Sequence, residues 1–111
     1  TMISPNEKIL FSTELSVEIP EGYYMQIHPR SSVGIKKNLI LSNLTGIVDA
    51  DYRGKIYLSV RNIGETAIRV EEGERLAQGI ILPYPKVVFE EVEELSETKR
   101  GEGGIGSTNE T

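Results

Sequence analysis

Apolar and polar residues alternate with a period of two through much of this chain. Leu15, Val17 and Ile19 share one face against Ser16 and Glu18, and Ile56, Leu58 and Val60 oppose Lys55, Tyr57 and Ser59. This period sends successive side chains to opposite sides of an extended backbone, so each run predicts a half-buried strand. Further strands are predicted over residues 23–28, 38–42, 66–70, 75–82 and 87–92. Turn-forming residues punctuate them at Pro20-Glu21-Gly22, Gly34, Gly54, Asn62-Ile63-Gly64-Glu65, Glu72-Gly73 and Pro83-Tyr84-Pro85. No convincing helical stripe and no internal repeat is present. Many short strands between regular turns point to an all-β sandwich, barrel or jelly roll.

The alternation stops near the C-terminus. From Ser96 onward the chain is polar and glycine-rich, which predicts a β domain over residues 1–95 and a flexible arm over 96–111. The arm reads either as a floppy tail or as a segment that orders over a ligand. Gly101, Gly103, Gly104 and Gly106 permit close backbone approach, and Arg100, Ser107 and Thr108 offer donors to phosphate oxygens. The lysine and spacing of a P-loop are missing.

A length of 111 residues fits one domain with a modest core. Cysteine is absent, which removes disulfides and thiolate metal sites. The net charge of −5 argues against broad nucleic-acid binding, which needs a basic footprint. No apolar run reaches membrane-spanning length and no signal peptide is visible, so a cytoplasmic protein is expected. Glu90, Glu91, Glu93, Glu94 and Glu97 form an acidic run that reads as a solvated face or linker.

The densest chemistry lies in Gly46-Ile47-Val48-Asp49-Ala50-Asp51-Tyr52-Arg53-Gly54. Two carboxylates, a phenol and a guanidinium stand between turn glycines and apolar runs, a composition suited to holding a sugar and activating a water. Upstream, Pro29-Arg30-Ser31-Ser32-Val33-Gly34 suits a phosphate and equally suits a structural turn. Gly73-Glu74-Arg75-Leu76-Ala77-Gln78 reads alone as a turn leading into a salt-bridged edge. His28 has no evident orienting partner and reads as a packed or solvated strand-end residue.

In their order and spacing, these segments and the glycine-rich arm resemble motifs two to five of the trimeric dUTPases (deoxyuridine triphosphate nucleotidohydrolases). The resemblance runs from Ile9 onward, and Asn43 before the third motif is similar to bacterial and phage members. It implies a distorted jelly-roll-like β-barrel, a homotrimer, and sites built from all three subunits with the arm closing over a neighbour. The implied reaction is hydrolysis of dUTP to dUMP and pyrophosphate. Asp49 would activate the water that attacks the α-phosphorus, and Mg²⁺ would be held mainly by substrate phosphates and water. Asn43 and the backbone of Gly46, Ile47, Val48 and Asp49 would read uracil, Tyr52 would stack on the deoxyribose, and Ile105 would cover the base. Tyr57 stands near the family's base-pocket wall, with simple exposure as the competing reading. Arg30, Ser31, Ser32 and Gln78 would hold the α and β phosphates, and Arg100, Ser107 and Thr108 the γ phosphate. Asp51 is expected to be a structural hydrogen-bond acceptor.

Three departures accompany this resemblance. The family's first motif, an alanine-glycine-x-aspartate-leucine segment whose aspartate helps order Mg²⁺, does not occur before Pro29. The arm's usual aromatic is Ile105, which shields a base without stacking, and its usual glycine after the Ser-Thr pair is Asn109. Two rival functions follow. The related dCTP deaminases need a glutamate on the strand after the third motif, where Ser59 stands here. A nucleotide-binding or regulatory protein without turnover is the other.

Overall fold

The computed structural model describes residues 1–106 as a predominantly β structure with one short helix. In chain order the elements are β1 (Met2–Ile3), β2 (Lys8–Ser12), β3 (Tyr23–Pro29), α1 (Ser31–Lys37), β4 (Leu39–Leu41), β5 (Gly46–Val48), β6 (Tyr57–Asn62), β7 (Ile68–Arg69) and β8 (Ala77–Pro83). All pairings are antiparallel. One sheet has the order β2-β6-β4, a second β5-β3-β8, and β1 with β7 forms a two-stranded ribbon. The arrangement is jelly-roll-like, and the sheets do not close into a barrel among the described residues.

Alternation fills the space between the sheets. Ile27 and Val48 come from one sheet, and Leu39, Leu41 and Val60 from the other; Ile3, Ile19, Val33, Ile56, Val70 and Leu76 complete the buried core. Asn62 is fully buried among them. Its amide donates to the carbonyls of Ile3 and Thr66 at 2.9 Å each, and its oxygen accepts the Gly64 N–H at 2.8 Å. A buried amide needs such partners, and these three fix the 62–66 turn against β1.

Several elements differ from the sequence reading. Residues 31–37 form a helix, too short to display a helical period, burying only Val33. Arg30 caps it with extended torsions, and Asn38 ends it in the left-handed region at φ 54°. Strand β2 was hidden because Ile9, Leu10 and Phe11 form an unbroken apolar run, although Leu10 points to solvent at 65% exposure. The 15–19 run carries Val17 and Ile19 inward, but Leu15, predicted on the same face, is exposed, and no strand forms there. Glu14 takes φ 59°, so the Thr13 N–H and the Leu15 carbonyl both bond Ile56, and the chain leaves the ladder as at a bulge. Residues 87–92 are not a strand either. Val87, Val88, Phe89 and Val92 are exposed, and a β-branched run makes a strand only where a ladder partner exists.

No helix among the described residues is long and apolar enough to cross a membrane.

Candidate active site

Strand β3 is the common scaffold for the polar segments. On one side it pairs with β5, placing Ile27 opposite Gly46 and Met25 opposite Val48. On the other it pairs with β8, placing His28 opposite Gln78 and Pro29 opposite Ala77. Gly46 suits the first approach, because a Cβ there would lie 3.1 Å from the Ile27 Cβ, tighter than ordinary carbon contact. As the outer strand of its sheet, β5 keeps one backbone edge unpaired.

At the C-terminal end of β3, Arg30, Ser31, Ser32 and Gln78 gather. The Arg30 N–H donates to the Leu76 carbonyl at 3.0 Å, and its guanidinium reaches the Arg75 carbonyl at 3.4 Å. Ser31, Ser32 and Gln78 are exposed. The Lys37 ammonium, at the far end of α1, meets the Glu74 carboxylate in the turn before β8. That ammonium, with the Glu71 N–H, holds the Glu74 carboxyl below the usual glutamate range. Two sequence-distant motifs are therefore tied at both ends of α1.

Beyond the other end of β5, the chain folds back on itself. The Tyr52 N–H donates to the Asp49 carbonyl at 3.2 Å, and the Tyr52 hydroxyl to the Lys55 carbonyl at 2.6 Å. Arg53 donates to the Ala50 carbonyl at 2.6 Å and pairs with Glu18 at 3.4 Å. Lys55 pairs with Glu14 at 2.6 Å, and with the Ser12 hydroxyl it holds the Glu14 carboxyl below its ordinary value. Asp49 is exposed at the mouth of this turn, and its carboxylate bonds no protein group among the described residues. Asp51 is likewise exposed and accepts no hydrogen bond there, contrary to its expected structural role; the turn is closed by Arg53 and Tyr52 instead.

The two clusters do not meet within one chain. Asp49 follows Val48, which faces Met25, whereas Arg30 follows Pro29. At roughly 3.3 Å per residue, the stretch of β3 between them spans about 20 Å. Asn43 lies exposed in the turn before β5. Tyr57 is 51% exposed on the outer face of β6, opposite Ser12. His28 is half-buried in a ladder in which its ring bonds Gln26 at 3.0 Å and Gln26 bonds the Tyr24 hydroxyl at 2.8 Å. Arg100 turns back on the carbonyls of Gly103 and Gly104, and Ile105 is fully exposed. Ser107 and Thr108 lie outside the described residues.

A cleft of about 950 Å³ opens between the sheets, over Phe11, Val17, Met25, Ile56 and Leu58. Of the candidate residues only Gln78 lines it, and its apolar floor does not suit a triphosphate. Among the described residues no group of three potential ligands converges to hold a metal. Strand β6 reads Tyr-Leu-Ser-Val-Arg-Asn, without the glutamate a deaminase would need. Ser59 is half-buried and hydrogen-bonded to the Ser42 hydroxyl at 2.5 Å.

The dUTPase family profile matches residues 1–109. The chain belongs to the dUTPase family. A deoxyuridine 5'-triphosphate nucleotidohydrolase of Hydrogenobaculum sp. (strain Y04AAS1) is 45% identical over 107 residues, 96% of this chain and 74% of that protein. The Staphylococcus bacteriophage 80alpha dUTPase with dUpNHpp superposes at a TM-score of 0.89 and 31% identity, over 96% of this chain and 79% of that one. A dUTPase from phage phi11 of S. aureus, described with a structural Mg(II) ion, superposes at 0.80 and 26% identity over 87% and 79%.

Sequence reasoning found the dUTPase motifs but missed the groups that hold them. The Lys55 and Arg75 carbonyls anchor Tyr52 and Arg30, and a backbone carbonyl leaves no mark on residue type. The Lys37–Glu74 pair joins the end of α1 to the Gly73–Gln78 segment, and no local spacing joins them.

Proposed function

We propose that this chain hydrolyses dUTP to dUMP and pyrophosphate, with Asp49 aligning the attacking water. The observation that carries this reading is the exposed Asp49 carboxylate, without a protein partner among the described residues, between the open edge of β5 and the Tyr52 turn. A carboxylate there can accept the water's proton while the oxygen bonds the α-phosphorus and the bond to the β-phosphate oxygen breaks. The open backbone edge of β5 and the Asn43 side chain offer donors and acceptors to uracil. Thymine is excluded by its methyl group and cytosine by its reversed donor–acceptor pattern. Tyr52 has its hydroxyl occupied by the Lys55 carbonyl, so the ring meets a sugar with carbon alone and gives a 2′-hydroxyl no partner.

Arg30, Ser31, Ser32 and Gln78 take the α and β phosphates. Arg100, Ser107 and Thr108 bring donors to the γ phosphate from the arm, with Ile105 over the base and Tyr57 at the pocket wall. The separation along β3 supports a site shared between chains, and hence a homotrimer whose arms close on neighbours. Mg²⁺ enters with the triphosphate and is held chiefly by substrate phosphates and water, as suits an ion that sheds water reluctantly. Cytoplasmic nucleotide metabolism is the setting of this reaction.

The test combines a pyrophosphate-release assay on dUTP, dTTP, dCTP and UTP in Mg²⁺ with calorimetric titration of a non-hydrolysable dUTP analogue. Release from dUTP alone is expected. Tight analogue binding without release would favour a regulatory nucleotide-binding protein, and ammonia release from dCTP would favour deamination.

A further inference from the structure

We infer that Gly54 is a specificity-determining position, acting as a positioning residue for the Tyr52 ring; this rests on the reading of Tyr52 as the sugar wall. A Cβ at Gly54 would lie 2.5 Å from the Tyr52 hydroxyl oxygen, 2.7 Å from Cζ and 3.0 Å from Cε1. Optimal carbon contacts lie near 3.5–4.0 Å, so a methyl group and this ring position exclude each other. The reason for glycine is space and not torsion. The described glycines with left-handed φ are Gly22, Gly73, Gly101 and Gly106, and Gly54 is not among them.

The consequence is local. The ring lies on the backbone of its own turn, with its hydroxyl bonded to the Lys55 carbonyl at 2.6 Å. Ion pairs from Lys55 to Glu14 and from Arg53 to Glu18 tie that backbone to the segment after β2. The ring is the movable partner, because the crowded atoms are the far end of an exposed side chain and the turn is backbone. At Gly54→Ala the phenol swings away, the Lys55 bond breaks, and both turn and fold persist because every crowded atom belongs to one exposed side chain. What changes is the height of the wall beneath the ribose. A ring lifted from its bed no longer leaves the same gap, and its released hydroxyl becomes a hydrogen-bond partner for a 2′-hydroxyl. One absent methyl group thus sets the choice between deoxyribose and ribose, through a residue that need not touch the nucleotide.

The experiment compares wild type, Gly54→Ala, Tyr52→Ala and the double variant, measuring kcat/KM for dUTP and for UTP together with Tm. Discrimination by shape against one added hydroxyl is of order 100-fold, and Gly54→Ala is expected to lower the dUTP-to-UTP ratio about tenfold. Its Tm should stay within a few degrees of wild type. The double variant should discriminate no worse than Tyr52→Ala, since Gly54 acts only through that ring. Two results overturn the inference: an unchanged ratio in Gly54→Ala while Tyr52→Ala loses it, or additive losses in the double variant. An unchanged ratio in Tyr52→Ala removes the sugar-wall reading itself, and the inference with it.

Discussion

The Lys37 ammonium sits 2.5 Å from the Glu74 carboxylate, joining the end of α1 to the turn that precedes β8. Because the folded state lowers the Glu74 pKa, its contribution is present above the ordinary glutamate value and is lost as pH falls through the lowered one. Glu74→Gln should therefore reduce stability near neutrality by about 0.5–1 kcal/mol, a small figure because Lys37 remains partly exposed. Thermal denaturation across pH 3–7 should show the variant and wild type converging at the acid end. A constant gap across that range would remove the carboxylate's charge from the account.

The Asp49 carboxylate bonds no protein group among the described residues, so Asp49→Asn should separate chemistry from binding. Turnover of dUTP should fall by about 10²–10⁴-fold, the usual worth of a positioned general base. Calorimetric affinity for a non-hydrolysable dUTP analogue should stay within a few-fold of wild type. Undiminished turnover in the variant would take Asp49 out of its role.

Patterning alone exposed the β class, because the 23–28 and 56–60 runs each turn an apolar face inward and find a ladder partner, and the 75–82 run, although mostly exposed, pairs with β3. It failed where partnership decides the outcome. Residues 87–92 are apolar and β-branched but have no strand to pair with among the described residues, and β2 hides its alternation behind the outward Leu10. The site divides in the same way. The spacing of Arg30, Asp49, Tyr52 and Gln78 was legible as a family signature, since residue type and order carry it. The supports were not, because they are carbonyls, a missing Cβ at Gly54 and a charge pair closed only by folding.

Asn62 offers a test of the fold apart from the site. Replacing it by Ala leaves the Ile3 and Thr66 carbonyls and the Gly64 N–H without their partner in a dry environment. The expected loss is about 2–3 kcal/mol, read as a lowered urea midpoint at unchanged m-value. A loss of only a few tenths would mean that water replaces the amide.

The separation of Asp49 from Arg30 along β3 gives the decisive test of a shared site. Neither Asp49→Asn nor Arg30→Ala chains alone should turn over dUTP well, the first lacking the base and the second a phosphate donor. If each site takes Asp49 from one chain and Arg30 from another, co-refolded mixtures must regain activity. Random equal mixing pairs an intact Asp49 with a neighbour's intact Arg30 at about a quarter of sites in a cyclic assembly. Activity should therefore rise to about a quarter of the wild-type level, while a chain carrying both substitutions mixed with neither partner stays inactive. Sedimentation must report the same assembly in every sample, so that recovery cannot come from a change in oligomeric state. Mixtures no more active than their components would mean that each chain completes its own site, and about 20 Å of β3 would have to be bridged by the arm alone.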